Sequence, residues 1–185
     1  MPHWDEAKYP TAFAAKVWNV PVPTAKLYVK KYLWLTPNDR KAHTSGATTL
    51  LTGRRVLQGA IGAHLAHSFR TGAAKACEAA KAFTDFSYES DAPGFNRDPG
   101  ELYAGSLTCL AVYPDGQTRV IRTEGVENKK FNTKTKKTEV VIEKPTVEDI
   151  TFGSGQRGAC WLLPLDFIVK HVTIELDKFD SEARS

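Results

Sequence analysis

Acidic residues are nearly missing from one long part of this 185-residue chain: between positions 16 and 75, ten Lys/Arg stand against Asp39 alone. Cysteine is scarce as well. Cys77, Cys109 and Cys160 are odd in number and far apart, which argues against a disulfide framework and fits a reducing cytoplasm. No apolar run reaches membrane-spanning length, and Met1 to Lys16 is polar and broken by Pro2 and Pro10, so neither a membrane span nor a signal peptide is expected. Catalytic and metal-binding constellations are lacking too. His64 and His67 stand three apart, but no nearby Cys, His, Asp or Glu completes a tetrahedral set, and a helical zinc motif would need a Glu between them. The expectation is therefore no metal, no cofactor, no membrane partner and no catalytic residue.

What is present is charge in blocks. The net charge of +4 divides into −1 over positions 1–15, +9 over 16–75, −5 over 76–115, +5 over 116–137 and −4 over 138–185. Two basic blocks alternating with two acidic ones can fold into a basic and an acidic face, and a basic face is the electrostatic footprint of a polyanion. The alternative is an ordinary solvated surface.

The clearest local pattern is Gly53 to Phe83. Leu57, Ile61, Leu65 and Phe69 recur every fourth residue, and Ala73, Ala76, Cys77, Ala80 and Phe83 carry the stripe past a kink or break at Gly72. Small residues such as Gly59 and Gly62 allow another backbone to approach. Almost everything after Phe83 reads as strand and turn. Thr84–Glu89, Leu107–Tyr113, Thr118–Thr123, Glu139–Glu143 and Phe167–Phe179 read as strands, and Pro114-Asp115-Gly116-Gln117 as a hairpin turn. The expected fold class is α+β: one long helix on a mostly antiparallel sheet, ferredoxin-like, with an OB-like barrel as the alternative. Positions 1–25, with four prolines and Trp4 and Trp18, read as an extended arm that either clasps a partner subunit or straps its own core. Positions 26–185 read as a single domain with a lysine-rich hairpin at 128–138.

Four stretches are candidates for phosphate or base contact. Lys26–Thr36 reads as a strand in which Lys30 and Lys31 interleave with Tyr28 and Tyr32, as on surfaces that track a phosphate backbone and stack bases. Arg54 and Arg55 follow Gly53 at a helix start, where free N–H groups and the dipole favour an anion. Asn128–Thr138 holds Lys129, Lys130, Lys134, Lys136 and Lys137 around Phe131 and no acid. Gly153, Gly155 and Gly158 with Arg157 match G-x-G-x-x-G in letters. The sequence that follows, with Pro164 and β-branched alternation, opens no helix to receive a pyrophosphate, so the dinucleotide reading is rejected and a ligand-approaching glycine loop remains.

In order of parts, a first strand at Leu27–Leu35, a helix opened by Gly53-Arg54-Arg55 and the run GSGQRGACWLL at Gly153–Leu163, the chain resembles the RAMP superfamily of CRISPR effector subunits. Cys160-Trp161 stands where that family carries a further glycine. The resemblance implies a cytoplasmic RNA-binding subunit of a ribonucleoprotein complex in antiviral defence, with companion subunits. One long helix, a lysine-rich hairpin and a glycine turn before the last strands are also similar to phage single-stranded-DNA-binding proteins. The leading expectation is a non-enzymatic nucleic-acid-binding subunit. A structural subunit of a virion or other assembly is the second, and a ribonuclease using His43 or His171 the third.

Overall fold

A computed structural model describes residues 4–39, 48–87, 96–104, 106–123, 126–132, 137–143 and 160–184. The fold is α+β. Among these residues there are five helices and three small antiparallel sheets. The helices are α1 (Thr11–Val17), α2 (Val22–Lys31), α3 (Gly53–Ser68), α4 (Ala73–Thr84) and α5 (Asp166–Glu182). The strands are β1 (Tyr9–Pro10), β2 (Leu50–Leu51), β3 (Leu107–Val112), β4 (Thr118–Thr123), β5 (Val126–Asn132), β6 (Lys137–Glu143) and β7 (Trp161–Pro164). β1 pairs β2, β5 pairs β6, and β3 is the central strand of β4-β3-β7.

The single long helix expected over Gly53–Phe83 is two helices folded back on each other. Arg70 adopts φ +53, and Gly72 enters α4 from extended backbone at φ −60, ψ 141, so the chain reverses between them. The small residues make the reversal possible. A Cβ on Gly62 would lie 2.8 Å from Cys77 Sγ on α4, and one on Gly59 would overlap the Trp18 indole. α3 is the hub, buried from Val56 through Ala63, and it packs on α1, α4 and α5. Thr52 caps it, its hydroxyl accepting from Arg55 N at 3.3 Å.

Two expected strands are helices. Lys26–Thr36 lies mostly in α2, where Pro21 and Pro23 set the first turn and Ala25, Tyr28 and Val29 form the buried face. Phe167–Phe179 lies in α5. Ile168, Val172 and Leu176 are buried at i, i+4 spacing, while Ile174, assigned to the same face by strand alternation, is 43% exposed. Thr84 closes α4 rather than opening a strand. The hairpin expected around Pro114–Gln117 is present: Tyr113 N donates to Gln117 O at 2.9 Å, and Gly116 sits at φ +88.

The N-terminal segment is not an extended arm. It forms β1 and α1 and packs on its own subunit. Trp18 is buried, its indole N–H donating to Val56 O at 2.7 Å. Tyr9 stacks on Phe13 and meets Phe179 of α5, and Lys8 pairs with Asp180 at 2.7 Å, joining the two ends of the chain. Burial, with Asp180 second, raises the Tyr9 phenol well above its ordinary pKa. No helix of the described residues is long and apolar enough to cross a membrane.

Candidate nucleic-acid interface

The start of α3 was the leading anion site by sequence, and its donors are already matched by the protein's own acceptors. Arg54 N donates to Trp4 O at 3.0 Å. Arg55 N donates to Thr52, and Thr52 N donates to Asp39 Oδ1 at 2.8 Å. The dipole end that would attract a phosphate therefore faces carbonyl and carboxylate oxygens.

The two arginines are likewise paired. The Arg54 guanidinium forms a fork with Asp5, Nε–Oδ1 3.0 Å and Nη2–Oδ2 3.2 Å, while Nη1 donates to Thr84 O at 3.1 Å and to Pro99 O. Arg55 is 1% exposed. It forks onto Asp85, donates to Gln58 Oε1, and holds Nε 4.0 Å from Asp39 Oδ2. Gln58 continues the chain to Cys77 O at 3.1 Å, so the network reaches α4. The phosphate-holding role expected for Arg55 is corrected on this geometry: an enclosed guanidinium facing two carboxylates cannot reach a polyanion. A cavity of about 230 Å³ lies between the two forks, lined by Asp5, Thr36, Asn38, Arg54, Arg55 and Asp85. Its lining holds two arginines and two aspartates and has no net attraction for an anion.

The α2 candidates separate. Tyr28 is buried, packed near Trp18 at 6.2 Å and edge-on to Tyr32 at 5.8 Å, and so does not stack bases. Tyr32 is half-buried at the helix end. Lys30 and Lys31 are exposed in the last turn of α2, where they complement the dipole.

The lysine-rich segment forms a two-stranded antiparallel ribbon. Lys129 pairs with Val140, Lys130 with Glu139, Phe131 with Thr138 and Asn132 with Lys137. Lys134 and Lys136 lie outside the described residues, as do Gly153, Gly155, Arg157 and Gly158 of the glycine loop and His43. The structure thus brings Lys129, Lys130, Phe131 and Lys137 onto one ribbon.

Two features escaped sequence reading. Arg97 is buried and donates to the carbonyls of Phe83 at 2.9 Å and Phe86 at 2.6 Å while its guanidinium covers the Phe83 ring, fixing the return of the chain after α4. The second is a groove where His64 and His67 of α3 meet His171 of α5 beside Trp18 and Phe167. The pair of histidines at i, i+3 was the signal. Reading the last segment as a strand kept His171 away from them. Burial, with His67 second, lowers the His64 pKa below the usual imidazole value. Among the described residues no three His, Cys, Asp or Glu are grouped to hold a metal ion. The Cys77 thiol is pushed up to about 12 and that of Cys109 to about 11, burial being the main cause, so both are packing groups and not nucleophiles.

Compared with protein families, curated proteins and solved structures, the chain matches none.

Proposed function

We propose that the protein is a non-enzymatic nucleic-acid-binding protein whose lysine ribbon β5–β6 engages the phosphates of a single strand or an RNA. One observation carries the reading: five lysines and no acid fall within Asn128–Thr138, and the described residues of that stretch, 128–132 and 137–138, pair as an antiparallel ribbon. Lysine contacts to phosphates carry no sequence information, which favours sequence-tolerant binding. Lys30 and Lys31 are secondary contacts. Phe131 is the stacking residue on the ribbon. Arg54, Arg55 and Tyr28 have no part in the contact.

A ribonucleoprotein subunit of RAMP type, acting in the cytoplasm, is the more specific form of this reading. Its support rests on the Gly153–Leu163 run, because Lys26–Lys31 lies in a helix and not in a first strand. A phage single-stranded-DNA-binding protein is the other form. Titration of labelled single-stranded RNA, single-stranded DNA and duplex at several salt concentrations tests the reading. Single strands are expected to bind tightest, with affinity falling by a log–log slope of about −0.7 per phosphate contact. Absence of binding to any of the three at low salt would overturn it.

A further inference from the structure

The groove between the α1–α2 turn, α3 and α5 is absorbed neither by the core nor by the ribbon. It has a volume of about 330 Å³, at the lower end of the ~300–1,000 Å³ typical of small-molecule pockets. Its floor is apolar, built from Val17, Ala60, Ala63 and Ile168 with the Trp18 indole. The indole N–H is already held by Val56 O, so Trp18 offers the groove only ring surface. The rim carries Asn19, His64, His67, Phe167 and His171.

Three properties of that rim select a ligand. Phe167 is 51% exposed, with its ring edge-on to His64 at 5.3 Å, so a large aromatic face stands open beside an imidazole. None of the three imidazoles hydrogen-bonds to another described residue. Each, when neutral, offers one donor and one acceptor, and the exposed Asn19 adds two of each. Finally, among the described residues no Lys, Arg, Asp or Glu lines the groove. A phosphate or carboxylate would find no fixed cation there. A lipid chain or apolar helix would cover four polar side chains without pairing them, and burying unpaired polar groups is unfavourable. An uncharged planar ring with a mixed donor and acceptor edge satisfies both the aromatic wall and the polar rim.

We propose that this groove is a nucleobase site, in which an unpaired base lies against Phe167 and its edge is met by Asn19 and the imidazoles. Asn19, at the turn between α1 and α2, takes φ +52, a left-handed conformation that asparagine accepts and β-branched residues resist. The source of the base as part of a strand rests on the function proposed above. A free nucleoside is the other source of the same chemistry.

The test uses the full chain, with helical content checked by circular dichroism. The probes are a short labelled single-stranded oligonucleotide, its abasic counterpart, and free adenosine and uridine. Phe167→Ala, at a half-exposed position, is expected to weaken base-containing oligonucleotide binding roughly 5- to 100-fold, the effect of losing one base stack, with the salt slope unchanged. His171→Ala is expected to weaken it by roughly 2- to 12-fold, the worth of one hydrogen bond. The abasic strand should be indifferent to both. F167A-sensitive binding of adenosine or uridine without oligonucleotide binding would make a free nucleoside the ligand, so that the groove stands and the ribbon reading falls. If parent and F167A bind intact and abasic strands equally and no nucleoside binds, the groove proposal is overturned while the ribbon stands. If no probe binds, both fall.

Discussion

The arginine pair at the start of α3 and the lysine ribbon carry the same kind of charge in different settings: one at a helix start, the other on a two-stranded ribbon. Arg54 and Arg55 face Asp5, Asp39 and Asp85, carboxylates brought from three other stretches of the chain. Asn128–Thr138 has five lysines and no acid of its own. In linear sequence the arginines looked the stronger site because they sit at a helix start. In the fold their charge is matched by residues 16 to 49 positions away, which no local reading can see, and they tie α3 to α4 and to the N-terminal segment. Basic residues mark a polyanion surface only where the fold leaves them unmatched.

Arg55 should break this comparison most sharply. Its side chain is 1% exposed and the Asp39 side chain 0%, so Arg55→Ala leaves an uncompensated buried carboxylate. The expected loss is about 3–5 kcal/mol in urea unfolding, or failure to accumulate folded protein. An unchanged midpoint would show that the network is not structural. Arg54→Ala is expected to cost roughly 1.5–3 kcal/mol, since it frees Asp5 and leaves the Thr84 and Pro99 carbonyls without their donor. Nucleic-acid affinity should stay at the parental value, and a drop would return Arg54 to the binding face. Gly59→Ala should cost about 1–3 kcal/mol by forcing the Trp18 indole off α3, with no effect on ribbon binding; equal stability would mean that the indole has room to move.

The smallest effect is a pH dependence. His64 has a lowered pKa, so the folded state favours neutral imidazole while the unfolded chain takes up a proton at about pH 6.5. Its contribution to stability is complete above that pH and is lost as pH falls toward the folded value. Unfolding midpoints compared at about pH 7.5 and pH 5 should therefore drop more for the parent than for His64→Gln. An equal drop in both proteins would deny His64 any part.

What sequence revealed was the α+β class, the α3 and α4 ladders, the Pro114–Gln117 turn and the strand at Glu139–Glu143. What it concealed follows from two physical causes. β-branched residues hid the helix at Asp166–Glu182: Ile168, Val172 and Leu176 satisfy i, i+4, but Val169 and Ile174 between them imitate alternation. In the N-terminal segment the prolines read as breakers of structure, whereas Pro10 and Pro21 stand immediately before α1 and α2 and Pro23 lies in the first turn of α2. Strand alternation over Phe167–Phe179 does not bring His171 to His64; the helical fold of that segment does, turning His171 toward α3.

We propose that the lysines of the ribbon, and not the arginines at the helix start, meet the polyanion. The most direct measurement is the salt dependence of single-strand binding for the parent, for the triple variant Lys129→Ala/Lys130→Ala/Lys137→Ala, and for Arg54→Ala. A log–log slope flattened by about 2 is expected in the triple variant, three contacts at about 0.7 each, with a parental slope in Arg54→Ala. A parental slope in the lysine variant with a flattened one in Arg54→Ala would contradict it.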